Sequence, residues 1–138
     1  MIILDTNIIS ELMKVSPDNK VIRWVDDQEI TQLFITAITI AEIEYGLNAL
    51  PAGTRKSMLE VAFNKSIKQA FKYRIHSFDE NSAKFYGAIM GKKKALGKPM
   101  SILDGQLAGV VRAQGAMLAT RNIRDFAHCD IELINPFD

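Results

Sequence analysis

Four acidic residues are placed along the chain where chemistry could be done: Asp5, Glu42, Asp104 and Asp125. Carboxylates crowded together repel one another unless a cation sits among them. All-oxygen donor sets suit Mg²⁺ or Mn²⁺, whereas zinc calls for His or Cys. A carboxylate-held Mg²⁺ lowers the pKa of its water and stabilises charge building on a phosphate during in-line displacement. The chemistry such a set supports is hydrolysis of a phosphodiester. His76 and His128 have no metal-like spacing with each other or with Cys129, and read as ordinary polar residues.

The elements that must position these acids can be read in order. Ile2-Ile3-Leu4 is an unbroken apolar run, as in a strand buried on both faces of a parallel sheet. It stops at Asp5-Thr6-Asn7, and Ile8, Ile9, Leu12 and Met13 continue at helical spacing. Asp5 therefore stands where a strand ends and a helix starts, the edge of an α/β sheet where ligands bind. A helix cap is the alternative role for that residue. A turn at Pro17-Asp18 leads a short amphipathic helix ending near Gln28, and Leu33–Thr36 reads as the second strand. Thr39-Ile-Ala-Glu42 has capping-box spacing and predicts a helix start at Thr39.

After the break at Pro51-Ala-Gly53, helical spacing predicts a long helix from Thr54 to about Phe71. Tyr73–Phe78 reads as a third strand and Asp79–Leu96 as a helix whose end carries Lys92, Lys93 and Lys94. Cations there complement the helix dipole, and a solvated helix end is the expected role. Ser101-Ile-Leu-Asp104 resembles a capping box opening a helix to about Gln114. Gly105 and Gly109 form a turn-spaced stripe on it, predicting close packing against the sheet. Ala116–Ala119 and Ile131–Ile134 complete five strands, with Thr120–Phe126 as a turn and short helix between them. Strands alternating with helices predict a parallel sheet covered on both faces. Right-handed crossovers place the junctions after strands on one edge. Asp104 follows no strand directly, so its convergence with the others is the least derivable.

The 138 residues suffice for one domain with a real core. Nearly half are apolar and about a quarter charged, which excludes a disordered chain. No apolar run approaches the roughly 20 residues of a membrane span. A single cysteine and the absence of an export signal predict a cytoplasmic setting. Net charge is +1, so any nucleic-acid binding must come from local patches.

Ile3-Leu-Asp-Thr-Asn7, Thr39-Ile-Ala-Glu42, Ser101-Ile-Leu-Asp104 with Leu107 and Ala108, and Thr120-Arg-Asn-Ile-Arg-Asp-Phe126 together resemble the PIN domain. Within it the chain is similar to the VapC and FitB ribonuclease toxins of toxin–antitoxin pairs. The likeness runs from Met1 to the Asn135-Pro-Phe tail. It implies an α/β/α sandwich with about five parallel strands and Mg²⁺- or Mn²⁺-dependent endoribonuclease activity, some relatives cutting tRNA. By that match Asp5, Glu42, Asp104 and Asp125 would hold the metal and the attacking water. Thr6, Asn7, Ser101, Thr120 and Asn122 would form the supporting shell, orienting carboxylates through hydrogen bonds. The resemblance also implies a homodimer, neutralised by an antitoxin whose extended tail enters the acidic groove. Two departures stand out. Some FitB-like members have Asp where this chain has Asn122, so Asp125 supplies the fourth acid or the site is weaker. Ala is usual where Gly105 and Gly109 stand.

Arg121 and Arg124 bracket the last motif and, with Lys98, are the candidates for guiding RNA phosphates. Trp24, Tyr45 and Tyr86 could stack bases, but their helical spacing points to core or interface. Two other classes compete. A phosphatase of the haloacid-dehalogenase kind needs a second acid two residues after the first, and Asn7 stands there. A non-catalytic binding module would use the acidic groove only to receive a partner.

Overall fold

The computed structural model describes residues 1–138. Five short strands, β1 (Ile2–Leu4), β2 (Leu33–Thr36), β3 (Ile75–His76), β4 (Met117–Ala119) and β5 (Glu132–Ile134), form one sheet in the order β3-β2-β1-β4-β5. Every neighbouring pair is parallel. The strand order reverses beside β1, which lies between β2 and β4. That reversal opens a crevice at the carboxyl ends of the central strands, where open α/β sheets bind ligands.

Successive residues of the central strands point to opposite faces, and the core divides accordingly. Ile3 and Leu118 belong to one apolar cluster with Ile89, Leu107 and Val111, from helices α6 (Glu80–Ala95) and α7 (Ile102–Gln114). Leu4 and Ala119 belong to the other. They pack with residues of α1 (Thr6–Leu12), α2 (Asn19–Asp26) and α3 (Ala37–Ala49), together with Phe63, Ile67 and Phe71. The three-layer sandwich expected from the alternating pattern is thus present, with its sheet buried on both sides. No helix is long and apolar enough to cross a membrane.

Three expectations need correction. The helix after β2 starts one turn before Thr39: Thr36 caps it, its hydroxyl accepting the Thr39 N–H at 3.2 Å. Thr39 is buried and caps nothing, which leaves Glu42 in the second turn with its side chain free for the site. The long helix from Thr54 is interrupted. α4 (Thr54–Val61) passes through a π-helical stretch (Ala62–Ile67) into the single turn α5 (Lys68–Ala70). Gly105 and Gly109 do pack closely, but against α6 and not the sheet. A Cβ on Gly109 would stand 2.6 Å from the Ser82 carbonyl oxygen, and one on Gly105 would overlap the Met90 sulfur. α7 ends where expected, because Gly115 adopts φ +60 as its left-handed cap.

Candidate active site

Asp5 is the centre of the site. Its backbone N–H extends the β1–β4 ladder by donating to Ala119 O at 2.9 Å, and its side chain caps α1. The cap and site readings of this residue are therefore compatible. Carboxylate oxygen Oδ1 accepts the Thr6 N–H at 2.7 Å. Oδ2 accepts the Thr120 hydroxyl at 2.8 Å and the Asn7 side-chain amide at 3.2 Å. Thr120 in turn accepts the Asn122 N–H at 3.0 Å, and Asn7 Oδ1 accepts the Arg121 N–H at 3.2 Å. The turn after β4 is thus tied to the turn after β1, and the carboxylate plane is held from both.

Only 6% of Asp5 is exposed, and burial pushes its carboxyl up to about 6. Hydrogen bonds from Thr120 and Thr6 oppose that rise, while the charges of Asp104 and Glu42 add to it. Placement at a helix start does not keep this acid in the ordinary range. Desolvation outweighs the hydrogen bonds.

Asp5, Glu42 and Asp104 line one cleft of about 420 Å³. Glu42 Oε1 accepts the Thr6 hydroxyl at 2.9 Å, so Thr6 couples β1's end to α3. Asp104 comes from the first turn of α7, where Ser101 caps the helix by accepting the Asp104 N–H at 3.2 Å. Partial burial raises the Asp104 carboxyl; the Ser101 hydroxyl opposes this and the charge of Asp125 adds to it. Asn122 and Arg121 complete the rim, with the Arg121 guanidinium 4.5 Å over the Phe137 ring.

The fourth predicted acid stands on the other side of Asp104. Asp125 is exposed and lines a neighbouring cleft of about 510 Å³ that has Asp104 as its shared wall. Lys98 and Arg124 line that second cleft too, so of the three basic candidates only Arg121 borders Asp5's cleft. Sequence reading missed Glu11, a buried acid on the Asp5 cleft. It accepts Lys14 Nζ and the Asp18 N–H, each at 2.9 Å, and the Lys14 bond holds its carboxyl below the usual range. Its position as the sixth residue of α1 gave no signal beyond a polar residue on a helix. His76 stacks on Phe34 at 4.8 Å, away from the acids. Tyr86 meets Phe78 edge-on and Trp24 packs on the core, but Tyr45, placed by its spacing in apolar surroundings, is 78% exposed.

The donor set suits a hard divalent cation better than a closed metal cage. No three Asp, Glu, His or Cys side chains are gathered tightly enough to enclose one ion. Mg²⁺ dehydrates reluctantly and is commonly held by one or two carboxylates plus several waters. A roomy cleft with Asp5 at its floor and Glu42 and Asp104 on its walls fits that mode. Within the cleft the only cations are Lys14, engaged with Glu11, and Arg121.

The fold and site define the class: the chain belongs to the PIN domain family, whose model matches residues 2–132. It is 38% identical over all 138 residues to the VapC ribonuclease Y4jK of Sinorhizobium fredii, covering 99% of that protein. It is 34% identical to the toxin FitB of Neisseria gonorrhoeae, with 99% of each chain covered. The crystal structure of FitAcB from the same organism superposes with a TM-score of 0.92 at 34% identity, over 99% of both chains.

Proposed function

We propose that this protein is an endoribonuclease, the toxin of a toxin–antitoxin pair, that hydrolyses RNA phosphodiesters with Mg²⁺ or Mn²⁺ and is neutralised by a cognate antitoxin. The observation that carries the reading is the buried Asp5 carboxyl, held by hydrogen bonds at both oxygens and faced by Glu42 and Asp104 across one cleft. A desolvated acid facing two like charges is a costly arrangement, and a bound divalent cation would offset it. The relatives named VapC ribonuclease and toxin FitB, and the FitAcB complex, support the activity and the partner.

Asp5, Glu42 and Asp104 would hold the cation, which when bound supplies Lewis acidity toward the phosphate and a more acidic water. Thr120 and Asn7 keep Asp5 Oδ2 oriented, and the Thr6 N–H does the same for Oδ1. Thr6 occupies Glu42 Oε1, leaving Oε2 to hold the cation or orient its water. Arg121 at the rim, its guanidinium braced by Phe137, suits contact with a phosphate of the bound strand. The product of such a direct attack carries no covalent link to the protein. Homodimer formation completes the proposal, and the exposed Tyr45 and Leu103 beside Glu42 are apolar surface a second copy could cover.

The test is cleavage of a total RNA pool by purified, antitoxin-free protein, with Mg²⁺ or Mn²⁺ and with EDTA. Discrete products that vanish with chelator and with Asp5→Asn or Asp104→Asn are expected. No cleavage by folded, metal-supplied protein across that pool sinks the ribonuclease reading in favour of a binding module.

A further inference from the structure

We propose that the cleft beside Asp104 is an anion subsite that seats a backbone phosphate of the RNA strand next to the one being cut, with Lys93 and Lys98 as its donors. The inference rests on the nuclease reading above and extends it to how the strand is held. Of the three lysines ending α6, the expected solvated role holds for two. Lys92 and Lys94 are exposed, and Lys92 pairs with Asp130 at 3.3 Å. Lys93 is only 4% exposed and lines the cleft. Its Nζ donates to Ala127 O at 2.9 Å, and no carboxylate pairs with it. An ammonium has three N–H donors, so one neutral carbonyl leaves two without a protein acceptor. A buried cation in that state is stabilised by an anion arriving in the cleft.

The backbone brings the second lysine to the same place. α6 ends in a Schellman motif: the Gly97 N–H donates to Lys94 O at 3.0 Å and the Lys98 N–H to Lys93 O at 2.9 Å. Gly97 makes this possible with φ +70. The chain folds back so that Lys98 lines the same cleft as Lys93, its Nζ 3.4 Å from His128 Nε2 on the rim. Arg124 adds a third formal positive charge against the carboxylates of Asp104 and Asp125. The shared Asp104 makes this cleft contiguous with the acid cleft, so a strand leaving one enters the other.

The experiment measures kcat and KM against salt on a short RNA for wild type, Lys98→Ala, Lys98→Glu and Lys93→Met. Lys93→Arg serves as the conservative rescue and the exposed Lys65→Ala as control. A parallel set of substrates carries one uncharged methylphosphonate at successive positions. Loss of either lysine is expected to raise KM with little change in kcat and to reduce the salt slope of log kcat/KM by about 1. One methylphosphonate flanking the cut site should weaken wild type more than it weakens Lys98→Ala, which retains only Lys93 as a donor. Unchanged salt slopes, or lysine and methylphosphonate effects that simply add, overturn the subsite while wild-type cleavage stands. Absence of wild-type cleavage overturns the nuclease reading and this inference together. Lys98 is exposed, so its variants decide the matter even if Lys93→Met does not fold.

Discussion

The two clefts that meet at Asp104 differ in sign and in how their charged groups are held. The cleft over β1 gathers Asp5, Glu11, Glu42 and Asp104 against Lys14 and Arg121. Its neighbour gathers Lys93, Lys98 and Arg124 against Asp104 and Asp125. In the first, hydrogen bonds from Thr6, Asn7 and Thr120 fix the buried carboxylate from two turns. In the second, a buried ammonium has a single carbonyl and exposed side chains around it. The contrast teaches that an acidic centre need not make the whole face repel a polyanion, provided an adjacent surface of opposite sign takes the flanking charge. It also teaches that Asp125, though close enough to raise Asp104, faces the basic side of the wall.

The largest expected effect would break the acid cleft itself. Asp5→Asn should lower kcat/KM for RNA cleavage on the order of 10²–10³-fold, the scale of losing one preorganised charge-stabilising group. An equal loss in Asp125→Asn would erase the distinction between the clefts.

Next comes stability against pH. The Asp5 carboxyl is about 6 in the fold against 3.8 for the free group, so the folded state binds the proton more tightly. Metal-free protein should therefore gain stability as pH falls from about 6 toward 4, and lose it as pH rises through that window. The amount is on the order of 2–3 kcal/mol. Glu11, held low by Lys14, acts in the opposite sense, so denaturant titrations of wild type and Asp5→Asn in EDTA should be subtracted. A difference that does not change between pH 4 and 7 would show that Asp5 is not desolvated as described.

The wall between the clefts is tested by packing. Gly109→Ala places a methyl against the Ser82 carbonyl and should cost about 1–3 kcal/mol, seen as a Tm lowered by several degrees. Gly87→Ala, with nothing within 4 Å, should raise stability by up to about 1 kcal/mol. Equal effects at the two sites would mean that α6 and α7 are not in close contact.

The smallest effect sharpens the comparison. Asp125→Asn should change kcat/KM by less than about tenfold, the size of a through-space influence on Asp104. Asp104→Asn, measured beside it, should lose far more.

How much of this was legible depended on whether the signal was local. Ile2–Leu4 announced a buried strand because it is apolar on every residue, and Ser101 announced a helix start because a cap and its N–H partner are three residues apart. Thr39 misled for the same reason. It has cap spacing to Glu42, but Thr36 has cap spacing to Thr39, and the strand's end decides between them. The glycine stripe was visible while its partner was not, since only the fold says that α6 crosses there. Lys93 was indistinguishable from Lys92 and Lys94 because burial of one among three cations is set by what lies opposite.

By itself the sequence determined the alternation of strands and helices, the parallel sheet and the positions of the acids at element boundaries. Periodicity, capping and turn chemistry act over a few residues and leave their mark in the chain. Only the tertiary structure decided that Asp104 joins Asp5 and Glu42 while Asp125 turns to the basic side. It also decided that Asp5 carries a raised pKa and that Lys93 stands buried at a cleft. Those outcomes depend on which surfaces exclude water between residues about a hundred positions apart, and desolvation is a property of the assembled fold, not of any segment.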